Sequence, residues 1–383
     1  MGVIRLEPPR VHAWASRSVG AVWNVFDVQL VLYALLLAVV GLLMAYTNSS
    51  GSPLAAGATF ARGLIWLAIA IVAFTLAASM DYRWLKTFAW PVYLLNIGLL
   101  MTSILIGSGV GNTSRWVTIF GLQFQFSEIA KILMIVVLAN FLAGRQHRMG
   151  SLWTILGAAA LVAPPFALVL LQPDLGTSLV FGAILIGMLF LGGASLRWLG
   201  AMAIAVLAAM PVIWTYVLLP YQKQRLLSFL DPAADPQGSG YQLIQSQTAV
   251  GSGGLFGKGL TNGSQSQLDF LPVSTTDFVW ATLSEELGFV GGVVALLIFV
   301  ALLWRVLLVG WRSDDPFGLL FAAGVASLVL FQILVNIGMV IGIMPITGIP
   351  LPFITHGGAS LISIAVGLGI LQSINMRQAK ASW

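Results

Sequence analysis

The sequence contains no cysteine and few charged residues. None of its 383 residues is Cys, 8% are Asp, Glu, Lys or Arg, and 58% are hydrophobic. Without cysteine the chain can form neither a disulfide bond nor a thiolate metal site. An ordinary soluble domain has about 25% charged residues, and a soluble fold of this length could not bury so much apolar surface. The composition therefore predicts a membrane protein.

The basic residues are scattered along the chain and form no cluster that would indicate nucleic-acid binding. Residues 1–24 hold Arg5, Arg10 and Arg17 but no long apolar core. This pattern predicts a cytoplasmic tail rather than a cleaved signal peptide.

About ten stretches are long and apolar enough to cross a membrane as helices, which requires about 20 residues each. They predict an all-α polytopic membrane protein, with residues 1–383 forming a single membrane domain. The fifth stretch contains Pro164-Pro165, which predicts a kink or break. The predicted spans are 27–46, 62–80, 87–107, 127–144, 151–171, 177–193, 198–219, 277–304, 317–345 and 357–375.

The distribution of Lys and Arg predicts the orientation in the membrane. With the N-terminus inside, twelve basic residues fall in inner connections and five in outer ones. Because cytoplasmic loops carry the excess of Lys and Arg, both termini are expected in the cytoplasm. Most acidic residues then fall on the outer side, so any chemistry is expected there.

One connection, residues 220–276 between the seventh and eighth spans, is far longer than the rest. Gln222–Leu230 and Tyr241–Val250 are amphipathic and are expected to lie along the membrane surface. Five glycines cluster between Gly251 and Gly259, which indicates tight turns or a close backbone approach to a ligand. A flexible glycine linker is the alternative interpretation.

The stretch Leu268–Gly292, LDFLPVSTTDFVWATLSEELGFVGG, combines a loop and the start of an apolar helix, and three of its acids fall within ten residues. Asp277 lies at the predicted helix start, and Glu285 and Glu286 lie about two turns further. Ionisable groups in a membrane segment usually serve a function. Asp277 could instead be a simple helix cap, and the two glutamates could be structural polar groups.

Six further charged residues occur in or near the outer connections. Arg115 precedes Glu128 and Lys131, which are spaced i, i+3 and can pair on one helix face. Asp174, in QPDLGTS, fits either a turn or a functional role. Arg225 follows Lys223 in YQKQRLLSFLDP, and both could bind phosphates or anionic lipid headgroups.

Several of these motifs resemble one protein family. The blocks TTDFVWATLSEELGFVGG, RWVTIFGLQFQFSEIAK, QPDLGT and GIPLPFITHGG are similar to signatures of the SEDS (shape, elongation, division and sporulation) family. The loop GYQLIQSQTAVGSGGLFGKGLTNGSQSQLDFLP resembles the version in the elongation member better than the one in the division member. Thr355-His356 stands where the family usually has Ser-Tyr.

The resemblance implies a peptidoglycan glycosyltransferase that polymerises lipid II during cell elongation. It implies Asp277 as the catalytic base and a substrate or pyrophosphate site drawn from Arg115, Glu128, Lys131, Asp174, Arg225 and Glu286. A class B penicillin-binding protein and other proteins of the elongation complex are the implied partners. A divalent cation, Mg²⁺ or Mn²⁺, is a further expectation, although no pair of carboxylates has the spacing of a metal site.

Two other functions remain open at this point. Ten spans and intramembrane charges are also features of a transporter that flips a lipid-linked precursor. The chain could also be a non-catalytic scaffold. His356 is expected to be a loop histidine bonded to backbone rather than a titrating group.

Overall fold

The fold is a bundle of long apolar helices. The computed structural model describes residues 26–49, 53–55, 58–107, 115–119, 122–236, 238–268, 270 and 276–377. Among these residues, nine helices are long and apolar enough to cross a membrane, and a tenth, Leu175–Leu191, is apolar with 17 residues. The prediction of a polytopic helical membrane protein with about ten spans is confirmed.

Most predicted span boundaries agree with the observed helices to within three residues. The helices are α1 (Val28–Thr47), α2 (Thr59–Ser79), α3 (Arg83–Thr87), α4 (Ala89–Ile106), α5 (Phe126–Ala143), α6 (Leu152–Leu171), α7 (Leu175–Leu191), α8 (Leu196–Val212), α9 (Pro220–Leu230), α10 (Ser239–Ser252), α11 (Ser264–Gln267), α12 (Val279–Trp311), α13 (Pro316–Val340) and α14 (Gly358–Arg377).

The core of the bundle lies around α5, α13 and α14, most of whose residues are buried, whereas no residue of α8 is buried. Gly369 of α14 shows how closely these helices approach. A Cβ placed there would lie 2.6 Å from the carbonyl oxygen of Phe74 in α2. Small residues at such positions allow backbones to come close, which is how helices associate inside a membrane.

Prolines lie inside helices α6 and α8. Helix α6 runs through Pro164 and Pro165 without a break, and the alternative of a kink there stays a prediction. Pro211 lies inside α8, and the chain continues from it as one π-helical turn, Ile213–Val217. A wider turn is one way to accommodate the backbone hydrogen bond that proline cannot make.

A small antiparallel hairpin, which no sequence pattern predicted, connects α4 to α5. Strands β1 (Val117–Ile119) and β2 (Leu122–Phe124) pair so that Thr118 lies opposite Gln123. Three residues per strand are too few for the alternating pattern on which strand prediction depends.

Ion pairs join the helix ends that lie far from Asp277. Arg305 near the end of α12 pairs with Asp27, which caps α1, at 2.7 Å. Lys86 lies 2.8 Å from Asp315, the N-cap of α13. Arg377 at the end of α14 donates hydrogen bonds to the carbonyl oxygens at the end of α2. These contacts join the ends of six helices in three pairs.

The long connection after the seventh span is folded rather than extended. Both predicted amphipathic stretches are helices, α9 and α10. Ser246 of α10 donates a hydrogen bond to the carbonyl oxygen of Val340 at 3.0 Å, so α10 is fixed to the end of α13. The position of α9 and α10 along a membrane surface stays a prediction.

Helix α12 is interrupted at Gly288, which corrects the prediction of one continuous helix through residues 277–304. Gly288 has φ 68° and ψ −168°, values that interrupt the helical backbone hydrogen bonding. The glycine-rich segment, residues 253–259, supplies replacement partners. Lys258 and Gly259 donate backbone hydrogen bonds to the carbonyls of Glu285 and Glu286, while Phe289 and Val290 donate to Gly254 and Leu255.

The glycines of this segment therefore serve a close approach to the chain itself, and the flexible-linker interpretation is wrong. Gly257 has φ +78°, and a Cβ on it would lie 2.1 Å from the carbonyl oxygen of Glu286. Neither that conformation nor that distance is available to another residue type without a shift of the backbone.

Candidate functional site

Asp277 lies in a turn just before α12, not at its cap. The turn spans Thr276–Phe278, and the N-cap position belongs to Phe278, which makes no side-chain capping bond. The interpretation of Asp277 as a helix cap is therefore wrong. Asp277 is half-buried.

Two polar side chains fix the backbone of this turn. The amide of Asn336, which is fully buried in α13, donates hydrogen bonds to the carbonyl of Asp277 at 3.1 Å and to that of Ile349 at 2.8 Å. The hydroxyl of Thr355 donates to the carbonyl of Thr276 at 3.2 Å. The turn is thereby attached to the loop between α13 and α14.

Charged groups surround the Asp277 carboxyl. A Cβ placed on Gly348 would lie 3.5 Å from Asp277 Oδ2 and 4.0 Å from Arg225 Nη1, so the acid and the arginine share one neighbour. Burial raises the pKa of the Asp277 carboxyl above its ordinary value, Arg225 and Arg115 act against this shift, and Asp174 adds to it. A carboxyl with a raised pKa is a better proton acceptor once it is deprotonated.

Arg115 is held in place by backbone oxygens that leave one edge of its guanidinium facing Asp174. Its Nε donates to the carbonyl of Gln172 at 3.1 Å, and Nη2 donates to that of Pro173. Its Nη1 lies 4.0 Å from Asp174 Oδ1. The hydroxyl of Tyr221 also donates to the carbonyl of Pro173, at 2.6 Å.

Asp174 begins α7 as its N-cap. Its Oδ1 accepts from the backbone N–H of Thr177 at 3.1 Å, and its Oδ2 accepts from the Thr177 hydroxyl at 3.0 Å and from Gln125 Nε2 at 3.1 Å. Of the two roles that the sequence left open, the local structural one is therefore observed. A role of Asp174 toward substrate stays a prediction.

A small cavity of about 80 Å³ brings Arg115, Asp174 and Arg225 together. Tyr221 and the segment 345–347 complete its wall. Two guanidinium groups beside one carboxylate that is already hydrogen-bonded give the cavity an excess of positive charge. It can bind an anion with phosphate oxygens, for which arginine is well suited.

A larger cavity of about 510 Å³ borders the Asp277 turn. Thr276 lines it, and the remaining walls come from α1, α2, the β-hairpin and the loop 353–358. Sequence reasoning missed it because its residues are far apart in the chain, although several of them lie within three of the family-like motifs. Its polar and aromatic wall consists of Thr59, Arg62, Trp66, Trp116, Thr118, Gln123 and His356.

Glu128 and Lys131 form the predicted pair, with Oε1 and Nζ 2.7 Å apart. Both are almost completely buried, with 3% and 1% of their surfaces exposed, and neither lines either cavity. The structure therefore favours the structural interpretation of this pair, and its proposed contact with a pyrophosphate stays a prediction.

Glu285 is a structural acid. Its Oε1 is fully buried and lies 2.7 Å from Lys258 Nζ, and it accepts from the backbone N–H of Gln265 at 3.0 Å and from the Ser264 hydroxyl at 3.2 Å. Glu286 is also buried, and neither glutamate lines either cavity. The substrate contact predicted for Glu286 is untested.

The residues around Asp277 do not form a protein-built metal site. In the part of the chain that the structure describes, no three His, Cys, Asp or Glu side chains come together as ligands. Both oxygens of Asp174 already accept hydrogen bonds, and a hard divalent cation needs several oxygen ligands. A divalent cation that arrives bound to the substrate's phosphates stays a prediction.

Comparison with known proteins gives a consistent family. Residues 28–380 match the family model described as the FtsW, RodA and SpoVE cell cycle proteins. A curated relative, the peptidoglycan glycosyltransferase MrdB of Escherichia coli, is 39% identical over 82% of this chain and 85% of its own length.

Two solved structures are similar over nearly the whole chain. A structure described as "Structural coordination of polymerization and crosslinking by a peptidoglycan synthase complex" has a TM-score of 0.78 and 30% identity, covering 93% of this chain and 99% of the other. The rod shape determining protein RodA of Thermus thermophilus has a TM-score of 0.70 and 27% identity, covering 94% and 99%.

Proposed function

The chain belongs to the FtsW, RodA and SpoVE family, and from this premise we propose that it is a peptidoglycan glycosyltransferase that polymerises lipid II. The observation that carries the proposal is the position of Asp277. A half-buried carboxyl with a raised pKa lies beside Arg225, which lines a cavity that can bind phosphate oxygens.

The proposed reaction uses Asp277 as a general base. Its carboxylate takes the proton from the 4-hydroxyl of the acceptor's GlcNAc while that oxygen attacks the anomeric carbon of the donor's MurNAc. The bond from the anomeric carbon to the pyrophosphate oxygen breaks with its electron pair. The products are an inverted β-1,4 link, undecaprenyl pyrophosphate and a protonated Asp277, which then loses its proton to solvent.

Arg115 and Arg225 have the second role in this proposal. The leaving pyrophosphate gains negative charge as the glycosidic bond breaks, so groups already positioned beside it lower the barrier. Arg115 needs no reorganisation, since three of its contacts are with Gln172, Pro173 and Asp174. Arg225 can act on both the leaving pyrophosphate and the Asp277 carboxyl, because it lies beside Asp277 as well.

The family relationship also suggests a partner. The structure described as a peptidoglycan synthase complex couples polymerization with crosslinking. We extend this to the present chain and propose a class B penicillin-binding protein as its crosslinking partner, within an elongation complex.

The site is proposed to face the outside of the bacterial inner membrane, with both termini in the cytoplasm. Thr248 of α10 and Gln146, between α5 and α6, are both exposed and lie in connections predicted for opposite sides. Since the chain has no cysteine, Thr248→Cys and Gln146→Cys each create one unique thiol. Only Thr248→Cys should react with an impermeant thiol reagent in spheroplasts, and the reverse labelling would contradict the orientation.

Purified protein in detergent tests the enzymatic proposal. Detergent removes the two compartments on which a flippase depends, so a polymer formed from lipid II reports glycosyl transfer alone. We expect glycan chains from the unmutated protein with its transpeptidase partner present. A protein that makes none, yet moves lipid II across the bilayer of proteoliposomes, would be the transporter.

A further inference from the structure

Four large apolar side chains are exposed together where the glycine-rich segment meets the break in α12. Phe256 is 79% exposed, Phe289 66% and Leu255 65%, and Val290 is the fourth. Two backbone hydrogen bonds join the two stretches, from Phe289 to the carbonyl of Gly254 at 2.9 Å and from Val290 to that of Leu255 at 3.0 Å. We call these four side chains the Phe256 patch. A grouped apolar surface of this kind marks an interaction site.

The length of α12 gives the depth of the patch in the membrane. Beyond the break, residues 290–311 continue as an α-helix. At 1.5 Å per residue this part of α12 is about 33 Å long, close to the thickness of the hydrocarbon core, about 30 Å. The break therefore lies at one boundary of the hydrocarbon, and the Phe256 patch lies at the same boundary.

The patch is continuous with an exposed apolar surface of α12. Val294, Leu297 and Val300 follow Val290 along this helix, and all three are exposed. Exposed apolar side chains on a membrane-spanning helix lie against lipid. Because the patch extends this surface without a polar residue between Val290 and Val300, lipid acyl chains are the occupant that the surface indicates.

No free charge opposes insertion of Leu255 and Phe256 into hydrocarbon. The sequence has no charged residue between Asp235 and Lys258. The ammonium of Lys258 is paired, since its Nζ lies 2.7 Å from Glu285 Oε1 and 2.8 Å from Ser264 Oγ. The cost of placing an unpaired charge at membrane depth therefore does not arise here.

The backbone of the segment is also prepared for a place at the membrane boundary. Irregular backbone is tolerated there only where its polar groups are paired within the protein. The carbonyls of Gly254 and Leu255 accept hydrogen bonds from α12, and the N–H groups of Lys258 and Gly259 donate to carbonyls of α12. The contact with α12 thus satisfies backbone groups on both sides of Phe256.

We infer that residues 254–257 form a membrane-inserted loop, in which Leu255 and Phe256 enter the acyl chains of the leaflet on the side of Asp277. This assigns a lipid contact to the long connection between the seventh and eighth spans, and it keeps the partners of the α12 break at the membrane boundary. The inference does not depend on the proposed reaction.

Three single-thiol variants test the depth of the loop. Since the chain has no cysteine, Phe256→Cys, Val294→Cys and Asn262→Cys each carry one thiol for a fluorescent label. Val294 is exposed on α12 and is the control for lipid, whereas Asn262, which is exposed in the same connection, is the control for water. The labelled proteins are placed singly in nanodiscs of phosphatidylcholine and phosphatidylglycerol, without a partner protein.

Two quenchers then distinguish lipid from water. We expect a nitroxide on the lipid acyl chain to quench the label in Phe256→Cys about as strongly as in Val294→Cys, and about twofold or more than in Asn262→Cys. Iodide should give the reverse order. Quenching of Phe256→Cys by iodide as in Asn262→Cys would place the patch in water, free for a protein partner, and would overturn the inference. A label that neither reagent quenches would lie inside the protein and would overturn it as well.

A second measurement asks whether Phe256 holds the loop in the lipid. The label is placed in Leu255→Cys, combined either with Phe256→Asp or with the apolar Phe256→Leu. Because most of Phe256 is exposed, neither change removes packing inside the protein. A charge is costly at membrane depth, so Phe256→Asp should shift quenching from the lipid nitroxide to iodide, while Phe256→Leu should not. Equal lipid quenching in both variants would contradict an anchor at Phe256.

Discussion

Asp277 and Glu285 lie eight residues apart, yet their surroundings differ. The carboxylate of Glu285 is fully buried and accepts bonds from Lys258, Ser264 and the backbone of Gln265. Asp277 is half-buried, is held through its backbone carbonyl by Asn336, and has its carboxyl beside Arg225. The carboxylate of Glu285 therefore stabilises the packing, whereas that of Asp277 is available for chemistry.

The difference shows why burial alone does not identify a catalytic acid. A carboxylate whose oxygens accept several short hydrogen bonds is stabilised in its charged form and is a poor proton acceptor. When the bonds go to the backbone of the residue instead, the side chain is positioned while its oxygens stay available. Variants at the two positions should therefore fail in different ways.

The largest expected effect on activity comes from Asp277→Asn. The change keeps the size of the side chain and removes the basic carboxylate, so polymerisation should fall about 10²–10⁴-fold. The midpoint of thermal unfolding should stay nearly unchanged, since the bond from Asn336 goes to the backbone of this residue. Glycan formation from lipid II and thermal unfolding are measured on the same preparation. Near-normal polymer would remove Asp277 as the base.

The next largest effect is expected at the break in α12, and it concerns stability. Gly257→Ala places a Cβ 2.1 Å from the carbonyl oxygen of Glu286, much closer than van der Waals contact allows. The residue also has positive φ. It should cost more than about 3 kcal/mol or prevent folding. Gly254→Ala also has positive φ but meets nothing within 4 Å, so it should cost about 1 kcal/mol. If both variants lost the same amount of soluble, folded protein in detergent, the contact of the new Cβ with the Glu286 carbonyl would not be the cause.

Glu285→Gln should also lower stability rather than catalysis. It leaves Lys258, whose side chain is 29% exposed, without its carboxylate, at a cost of about 2–3 kcal/mol. The activity per folded molecule should match that of the unmutated protein. Because Lys258→Met together with Glu285→Gln removes both charges, the double variant should recover part of the lost stability. A fall in specific activity as large as that of Asp277→Asn would contradict a purely structural role for Glu285.

The smallest effect is a shift in the pH profile. Arg225 lowers the raised pKa of Asp277, so Arg225→Gln should raise this pKa further. The base acts only when deprotonated, and activity is lost as pH falls. The acid limb of the pH–rate profile should therefore move to higher pH in Arg225→Gln, in addition to a lower maximal rate. Lys223→Gln, on the same helix but outside both cavities, is the control, and an unmoved limb in Arg225→Gln would contradict the coupling.

Much of the fold could be predicted from the sequence, because membrane helices are defined by length and apolarity. The ten spans follow from that rule, and so does the pairing of Glu128 with Lys131 at i, i+3. The break at Gly288 could not be predicted, since a single glycine in an apolar helix is common. Its cause is tertiary: residues 253–259 replace the lost hydrogen bonds.

The candidate site was predicted in part. Motif residues gave Asp277, Arg115, Asp174 and Arg225, which the structure places near one another. The larger cavity was missed because its wall combines α1, α2 and a hairpin that no pattern indicated. Asn336 carried a weak signal, an amide within an apolar helix, but its two carbonyl partners become visible only when α13 and the following loop are in place.

The break in α12 has a consequence for biosynthesis. A helix with unpaired backbone N–H and C=O groups enters a membrane less favourably, because each such group costs several kcal/mol in hydrocarbon. Residues 253–259 leave the ribosome before α12 does, so the partners of Glu285, Glu286, Phe289 and Val290 already exist when the break is inserted. Because the chain is synthesised from N- to C-terminus, the hydrogen-bond partner of each unpaired backbone group has already been made. Moving this segment behind α12 by circular permutation would preserve every contact and still impair insertion.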